Sequence, residues 1–489
     1  VLHRTQPSQI SFTGEFAQLI AGEAGGTQDN ASYIDDFEGT KTTIDVMTPT
    51  SWFISSVPSL NFKDDYSDKT GLSSGFHRSR LAWYTIDPLF TRRGSSLTPG
   101  HIKGDLKQLS NHYVREVCTK ELFPLRDQSS YQGATNTLNV LNLAYYPSEP
   151  GPYNFNVTDL QADGTLQNPQ RNWGGMMRKL DTNDFEQANI EYIEFWMLDP
   201  FIYSREEADA ADYGGDFYIN LGEVSEDILR DGKKFYESGM PVDGSKSYTY
   251  TQWGKIPTQS TVTYAFATTS GSRALQDVGF NGLTDAEEQE FYKSAYLDQI
   301  QGKVNQAVFD SIFADPARDD YHYFRGSDWD EMRAPILQRY KYINNPQGNS
   351  PDSDSRSESY DTSYKSTPDV EDINQDYTLN EYEKYFQYRV SIRPEDLVVG
   401  NNHIVDKREY SQTWRDNTKS TVTWYQFRIP IDEFESRQGN INDFSSIRFM
   451  RMFLTGFKKP IVLRFGTFDL VMGKWRTYDQ PLSAARGGT

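Results

Sequence analysis

The amino-acid sequence predicts a mainly β protein with jelly-roll or β-sandwich-like domains and one helical insertion. Short segments alternate between apolar and polar residues, and clusters of Gly, Pro, Asn and Asp separate these segments. A single long segment shows apolar residues at the four-residue spacing of a helix. The chain has 489 residues, whereas one hydrophobic core serves roughly 250–300, so we expect more than one domain.

The predicted strands lie on both sides of the helical segment. Alternation is clearest where Phe217, Ile219 and Leu221 would share one face of a strand. The segments with a strand pattern are 43–47, 52–55, 81–86, 138–145, 190–198, 217–221, 385–392, 423–429, 446–454 and 461–470.

The helix is predicted over residues 285–313. Thr284 and Glu287 have the spacing of a capping box, and Asp315 followed by Pro316 would end the helix. The apolar residues at four-residue spacing are Tyr292, Tyr296, Ile300, Val304, Val308 and Ile312.

Residues 344–368 are rich in Ser, Asn, Asp and Pro, which predicts an exposed loop or linker. We therefore expect an N-terminal segment (1–32), a first jelly-roll-like domain (33–240), a β plus helical region (241–343), this loop, and a second β-rich domain (369–489). No signal segment follows Val1, and we expect a piece of a longer protein.

The composition disfavours several function classes. The net charge of −20 repels phosphate backbones, so we expect no nucleic-acid partner. Cys118 is the single cysteine, which excludes an internal disulfide bond and a cysteine-based zinc site. There is no run of 18 apolar residues that would predict a membrane-spanning helix, although spanning β-strands would not show in hydropathy.

One segment has the spacing of a calcium-binding loop. Oxygen-bearing side chains occupy positions 1, 3, 5 and 9 of a 12-residue loop, and Glu occupies position 12. Tyr377 stands at position 6, where Gly normally permits the sharp bend. The alternative is an acidic turn that leads into the strand at 385. The predicted calcium ligands are Asp372, Asn374, Asp376, Thr378, Asn380 and Glu383.

A second acidic run covers residues 277–288. Gly282 stands at position 6, but Gly279 leaves position 3 without an oxygen ligand. We favour a helix N-terminus, where Asp285, Glu287 and Glu288 offset the helix dipole.

We find no spacing typical of a catalytic nucleophile and base, a metal triad or a phosphate loop, so we do not expect an enzyme. Acidic pairs such as Asp319 and Asp320 arise by chance among 69 acidic residues. Trp52, Trp83 and Trp196 lie within strand patterns, which predicts burial. The histidines are scattered, at His3, His77, His101, His112, His322 and His403.

Several long phrases are unusual enough to suggest a family. They are DFEG at 36–39, AWYTIDPLF at 82–90, YYP at 145–147, GPYN at 151–154, WGGMMR at 173–178, DFE at 184–186, IEYIEFW at 190–196, NLG at 220–222, SEDIL at 225–229, ESG at 237–239, PDVEDIN at 368–374 and IRFMR at 447–451. From about residue 33 to 478, the chain resembles the SprA/Sov family, the giant outer-membrane proteins of Bacteroidetes type IX secretion and gliding motility.

This resemblance implies a structural, partner-binding part of an outer-membrane translocon that conducts folded proteins. The implied partners are other secretion-system proteins and secreted proteins. The implied location is an extracellular- or periplasm-facing part at the outer membrane. We favour a soluble insertion over barrel wall, with 261–269 as a candidate barrel strand.

The resemblance carries no catalytic residues. We expect Gly174 and Gly175 to serve a tight turn or a close backbone approach. Glu226, Asp227 and Asp231 would line a charged surface or lie in solvated turns. The alternative function is a cell-surface jelly roll that binds carbohydrate or processes glycosides, and an adhesin stalk is a weaker possibility.

Overall fold

Strands before and after the helical insertion build two antiparallel β-sheets. The computed structural model describes residues 42–91, 94–124, 137–205, 213–258, 264–352 and 361–473. The strands are β1 (Thr42–Asp45), β2 (Phe53–Ile54), β3 (Ser79–Tyr84), β4 (Val117–Cys118), β5 (Thr137–Leu138), β6 (Leu141–Pro150), β7 (Trp173–Lys179), β8 (Ile190–Leu198), β9 (Gly215–Glu223), β10 (Tyr248–Tyr250), β11 (Lys255–Pro257), β12 (Lys384–Ile392), β13 (Ile404–Thr413), β14 (Lys419–Pro430), β15 (Ser436–Gln438), β16 (Phe449–Thr455) and β17 (Ile461–Met472).

The first sheet has seven strands in the order β13-β14-β8-β17-β6-β3, with β1 also paired to β17. The second has six strands in the order β15-β12-β9-β16-β7-β2. Two antiparallel pairs of short strands, β4 with β5 and β10 with β11, complete the described strands. The prediction of a mainly β, sandwich-like fold is confirmed.

The helices are short. They are α1 (Lys63–Ser67), α2 (Pro88–Thr91), α3 (Gly100–Gly104), α4 (Leu106–Ser110), α5 (Thr119–Leu122), α6 (Arg273–Gln276), α7 (Asp285–Phe291), α8 (Asp298–Ile300), α9 (Gln306–Ala314), α10 (Ser327–Glu331) and α11 (Ile336–Arg339). A π-helical turn, Lys293–Leu297, joins α7 to α8, and 3₁₀ turns lie at Pro49–Ser51, Ser73–Gly75, Pro169–Arg171 and Glu237–Gly239.

Aromatic side chains fill the space between the sheets. Phe195 of β8 stacks on Phe427 with ring centroids 4.7 Å apart and packs against Phe468 at 4.8 Å. It also meets Phe217 of the second sheet at 6.2 Å. These rings are fully buried, so they contribute strongly to the hydrophobic stabilisation of the sandwich.

Each of the ten segments with a strand pattern overlaps an observed strand, but six observed strands were not predicted, and the longest of these are β7 and β13. β7 has the sequence WGGMMRK, whose glycines and paired methionines hide any alternation. In β13, exposed residues alternate with half-buried polar ones, because this strand is an edge strand with β14 as its one neighbour.

The two glycines of β7 serve close packing within the strand. A Cβ atom on Gly174 would lie 2.8 Å from the Tyr145 ring, and one on Gly175 would lie 2.9 Å from Cβ of Phe453. The close approach expected for these residues is confirmed, and the alternative of a tight turn is wrong.

The predicted helix over 285–313 is broken. The chain leaves α8 after Ile300 and restarts at Gln306, with Gly302 in the left-handed region at φ +79°. Glycine adopts this conformation without steric cost, so it ends the helix that the four-residue spacing suggested.

The division into separate β domains at 33–240 and 369–489 also differs from the structure. Residues Thr42–Gly473 form one compact unit, and strands from both predicted domains alternate within both sheets. The segment 1–32 lies outside the described residues.

The expected exposed loop at 344–368 is tied to the core where it is described. Asn344 exchanges hydrogen bonds with the backbone of Trp83 in β3, at 2.8 and 2.9 Å. Ser350 is buried, and its backbone N–H donates to Asp277 at 2.9 Å. Polar composition misled the prediction here because these side chains bond to the backbone rather than to water.

For the candidate barrel strand at 261–269, residues 261–263 lie outside the described residues. Residues 264–269 form no strand in the structure.

Replacing Phe195 tests the aromatic core. Phe195→Ala removes the ring that contacts both sheets, and we expect the free energy of unfolding in urea to fall by about 3–5 kcal/mol. Phe313→Ala is the control, because Phe313 is 44% exposed, and it should change stability by less than about 0.5 kcal/mol. Equal effects of the two substitutions would contradict this account of the core.

Candidate metal loop and the carboxylates around it

The predicted calcium loop is a turn organised by its own acidic side chains. The carboxylate of Asp372 is buried and accepts hydrogen bonds from the backbone N–H groups of Asp376 and Tyr377, at 3.0 and 2.9 Å. The hydroxyl of Tyr264 donates to the same carboxylate at 2.6 Å.

The next positions of the loop fold in the same way. Asn374 Oδ1 accepts a hydrogen bond from the Asp376 N–H at 2.9 Å, and Asp376 Oδ1 accepts from the backbone and hydroxyl of Thr378 at 2.9 and 2.6 Å. Tyr377 lies in the left-handed region at φ +68°, so the loop makes the bend at position 6 without a glycine. Asp372, Asn374, Asp376 and Thr378 therefore lie together.

The last two predicted ligands point elsewhere. Asn380 donates to the carbonyl of Val224 at 2.9 Å. Glu383 forms a bidentate ion pair with Arg451 at 2.9 and 2.8 Å, and both side chains are buried. Its carboxylate also accepts from the Ser225 N–H at 2.9 Å. Glu383 thus neutralises an arginine that is buried on the face of the second sheet turned away from the first sheet.

Beside the loop lie two buried glutamates, and each accepts hydrogen bonds from backbone amides in the chain segment of the other. Glu226 accepts hydrogen bonds from the backbone N–H groups of Ile373 and Asn374, at 2.6 and 3.0 Å. Glu371 accepts from those of Ile228 and Leu229, at 2.7 and 3.0 Å. We call this arrangement the carboxylate clasp, formed by Glu226 and Glu371 with the backbone amides that they hold.

The clasp corrects the expectation for residues 226–231. Glu226 and Asp227 are 0% and 1% exposed, so they line no charged surface. Burial raises the pKa of Glu226 to about 7, and it raises the pKa of Glu371 well above its ordinary value. The one sequence signal was that both glutamates stand within the unusual phrases at 225–229 and 368–374.

A third buried glutamate, Glu237, bonds both to the acidic run at 277–288 and to the segment that leads to Glu371. Glu237 accepts hydrogen bonds from the N–H groups of Gly279 and Asp369, at 2.9 and 2.7 Å. Asp277 is also buried and accepts from the Ser350 N–H. Backbone amides again replace water around these carboxylates, as their burial requires.

The favoured interpretation of the second run is confirmed in part. Thr284 caps α7, and Glu287 completes the capping box by accepting from the Thr284 N–H at 3.1 Å. Glu288, however, is fully buried and faces away from water.

Residues 295–488 match the family model SprA_N, described as a motility related/secretion protein. The SprA_N match confirms the resemblance to the SprA/Sov family, and it covers β12–β17, Arg451 and Glu371. No curated protein matches the chain. Among the described residues, no helix has the length and apolar character needed to span a membrane.

Calcium at the loop stays a prediction that melting curves test. A ligand that binds the folded state alone raises its melting temperature, so calcium should raise it relative to EDTA. Asp376→Ala should make this difference smaller, because it removes a charged ligand from the loop. Equal calcium-dependent differences in the wild type and the variant would contradict calcium binding at Asp376.

The pH dependence of stability tests the buried carboxylates. Burial raises the pKa of Asp277 to about 7 from an ordinary 3.8, and the nearby Asp369 charge adds to the rise. The folded state therefore holds a proton that the unfolded chain releases, so the free energy of unfolding should fall between about pH 4 and 7.

Asp277→Asn should remove this part of the decrease, on the order of 2–4 kcal/mol. Urea unfolding of the wild type and the variant at pH 4, 5.5 and 7 measures this difference in the free energy of unfolding. Glu331→Gln is the control, because Glu331 is exposed. A variant that follows the pH profile of the wild type would refute the assignment.

Proposed function

We propose that this chain is a structural, partner-binding part of a type IX outer-membrane protein translocon that also serves gliding motility. The observation that carries the proposal is the match of residues 295–488 to a family of motility-related and secretion proteins. The partners would be other secretion-system proteins and the secreted proteins themselves. The location would be a part at the outer membrane that faces the periplasm or the cell exterior.

The interior of the chain supports a structural role. The buried carboxylates of Glu226, Glu237 and Glu371 are used to fix backbone segments, and Glu383 is used to pair Arg451. These contacts position chain segments and leave none of the four carboxylates exposed to a substrate. The matched family is described by secretion and motility, and not by an enzymatic activity.

The tryptophans of the described residues offer no platform to the carbohydrate-binding alternative. Trp52, Trp83 and Trp196 are 0%, 2% and 5% exposed, and every other tryptophan of the described residues is buried as well. A sugar approaching from solvent cannot stack on these rings.

Exposed tyrosines offer positions for finding the partners. Tyr250, Tyr377 and Tyr382 are 58%, 69% and 63% exposed, so a photoreactive phenylalanine derivative at these positions faces solvent. In living cells that carry the full-length protein, we expect illumination to link at least one position to a secretion-system protein or a secreted protein.

Tyr388 is the matched control, because it is 1% exposed and should yield no intermolecular product. Mass spectrometry identifies the linked proteins. Absence of protein adducts at all three exposed positions, together with saturable binding on a glycan array, would refute the translocon role in favour of carbohydrate binding.

A further inference from the structure

Three carboxylates from two parts of the helical insertion converge away from the calcium loop. Glu288 lies on α7, and Asp315 and Asp319 follow α9. One carboxylate oxygen from each lies within 4.8 Å of the other two. Oxygen ligands bind Ca²⁺ at about 2.3–2.6 Å, so two ligands of one ion lie at most about 5 Å apart. The observed spacing therefore fits a single shared cation.

Asp319 is the residue that requires an explanation. Its side chain is 0% exposed, and neither carboxylate oxygen has a hydrogen-bond partner. The Tyr153 hydroxyl lies beside this carboxylate, and it accepts a hydrogen bond from the Phe280 N–H at 2.7 Å. An unpaired buried carboxylate is costly, and this cost points to a missing ligand.

The other two carboxylates are held in place by backbone groups. Glu288 accepts a hydrogen bond from the Ala317 N–H at 2.9 Å, and Asp315 accepts from the Asp319 N–H at 3.1 Å. In the described part of the chain, no Lys or Arg nitrogen lies within 4.0 Å of the three carboxylates. The group thus has fixed oxygens and no ion-pair partner.

We propose that Glu288, Asp315 and Asp319 form a calcium site that fastens α7 to the segment after α9. The ligand chemistry selects the metal: the site offers carboxylate oxygens without His or Cys, which suits Ca²⁺ rather than zinc or copper. Mg²⁺ suits it less, because Mg²⁺ keeps several waters in an octahedral shell, and Asp319 lies in a fully buried position.

A groove provides the route for the ion and its remaining water ligands. Asp315 is partly buried and lines a cavity of about 700 Å³, which it shares with Arg318, Asp320 and Tyr342. Asp163 and Asp320 add carboxylates to the cavity wall, where they offset the charges of Arg80 and Arg318.

The alternative is a proton-sharing cluster without metal. Burial raises the pKa of both Glu288 and Asp319 well above their ordinary values, so protons compete with a cation for the same oxygens. The two possibilities predict opposite results for Asp319→Asn, because asparagine resembles a protonated aspartate but carries no charge to bind Ca²⁺.

The test uses the full chain with Asp376→Ala, so that the loop at 372–383 does not contribute. Isothermal titration at pH 7.5 after chelation should show calcium binding, and Tb³⁺ luminescence excited through tyrosine should rise because Tyr153 adjoins the cluster. Adding Asp319→Asn or Asp315→Asn should weaken calcium binding by about tenfold or more and abolish the luminescence gain.

Asp277→Asn is the matched control, because Asp277 is a buried acid of the segment between α6 and α7 that lies outside the cluster, and it should leave calcium affinity unchanged. Circular dichroism establishes that each variant is folded. The proposal is overturned if no calcium binds, if both cluster variants bind as the parent does, or if Asp319→Asn raises the melting temperature equally with and without calcium.

Discussion

Buried carboxylates that accept backbone N–H groups hold this molecule together where it has no regular secondary structure. In the carboxylate clasp, Glu226 fixes the segment after Val370, and Glu371 fixes the segment after β9. Each glutamate satisfies amides that would otherwise be buried without partners, and the amides in turn replace water around the carboxylate. The long connections that contain Glu226 and Glu371 therefore have a defined conformation, as the strands do.

The ion pair between Glu383 and Arg451 extends the same principle into the second sheet. Arg451 lies on the central strand β16, and its guanidinium also donates to Asn220 of β9 at 2.8 Å. Removing one partner of such a pair leaves a buried charge, which costs about 3–5 kcal/mol. The pair thus couples the last residue of the acidic loop to the pairing of β9 with β16.

The sequence predicted features that depend on local pattern and missed those that depend on distant partners. Alternation located the strands, and the capping box located the start of α7. The spacing that suggested a continuous helix could not show that Gly302 takes a left-handed conformation. Glu226 and Glu371 were expected in solvent or left unassigned because acids are seldom buried, and their amide partners lie about 140 residues away.

The strand order has a consequence for how the chain reaches its folded state. β16 and β17 are the last described strands, yet each lies in the middle of a sheet, between β7 and β9 and between β6 and β8. The two sheets cannot close until the chain has been made as far as Met472, so their pairing depends on very distant segments and should be slow. Before that point, the edges of β6, β7, β8 and β9 that later receive β16 and β17 remain open, and open strand edges expose a nascent chain to aggregation.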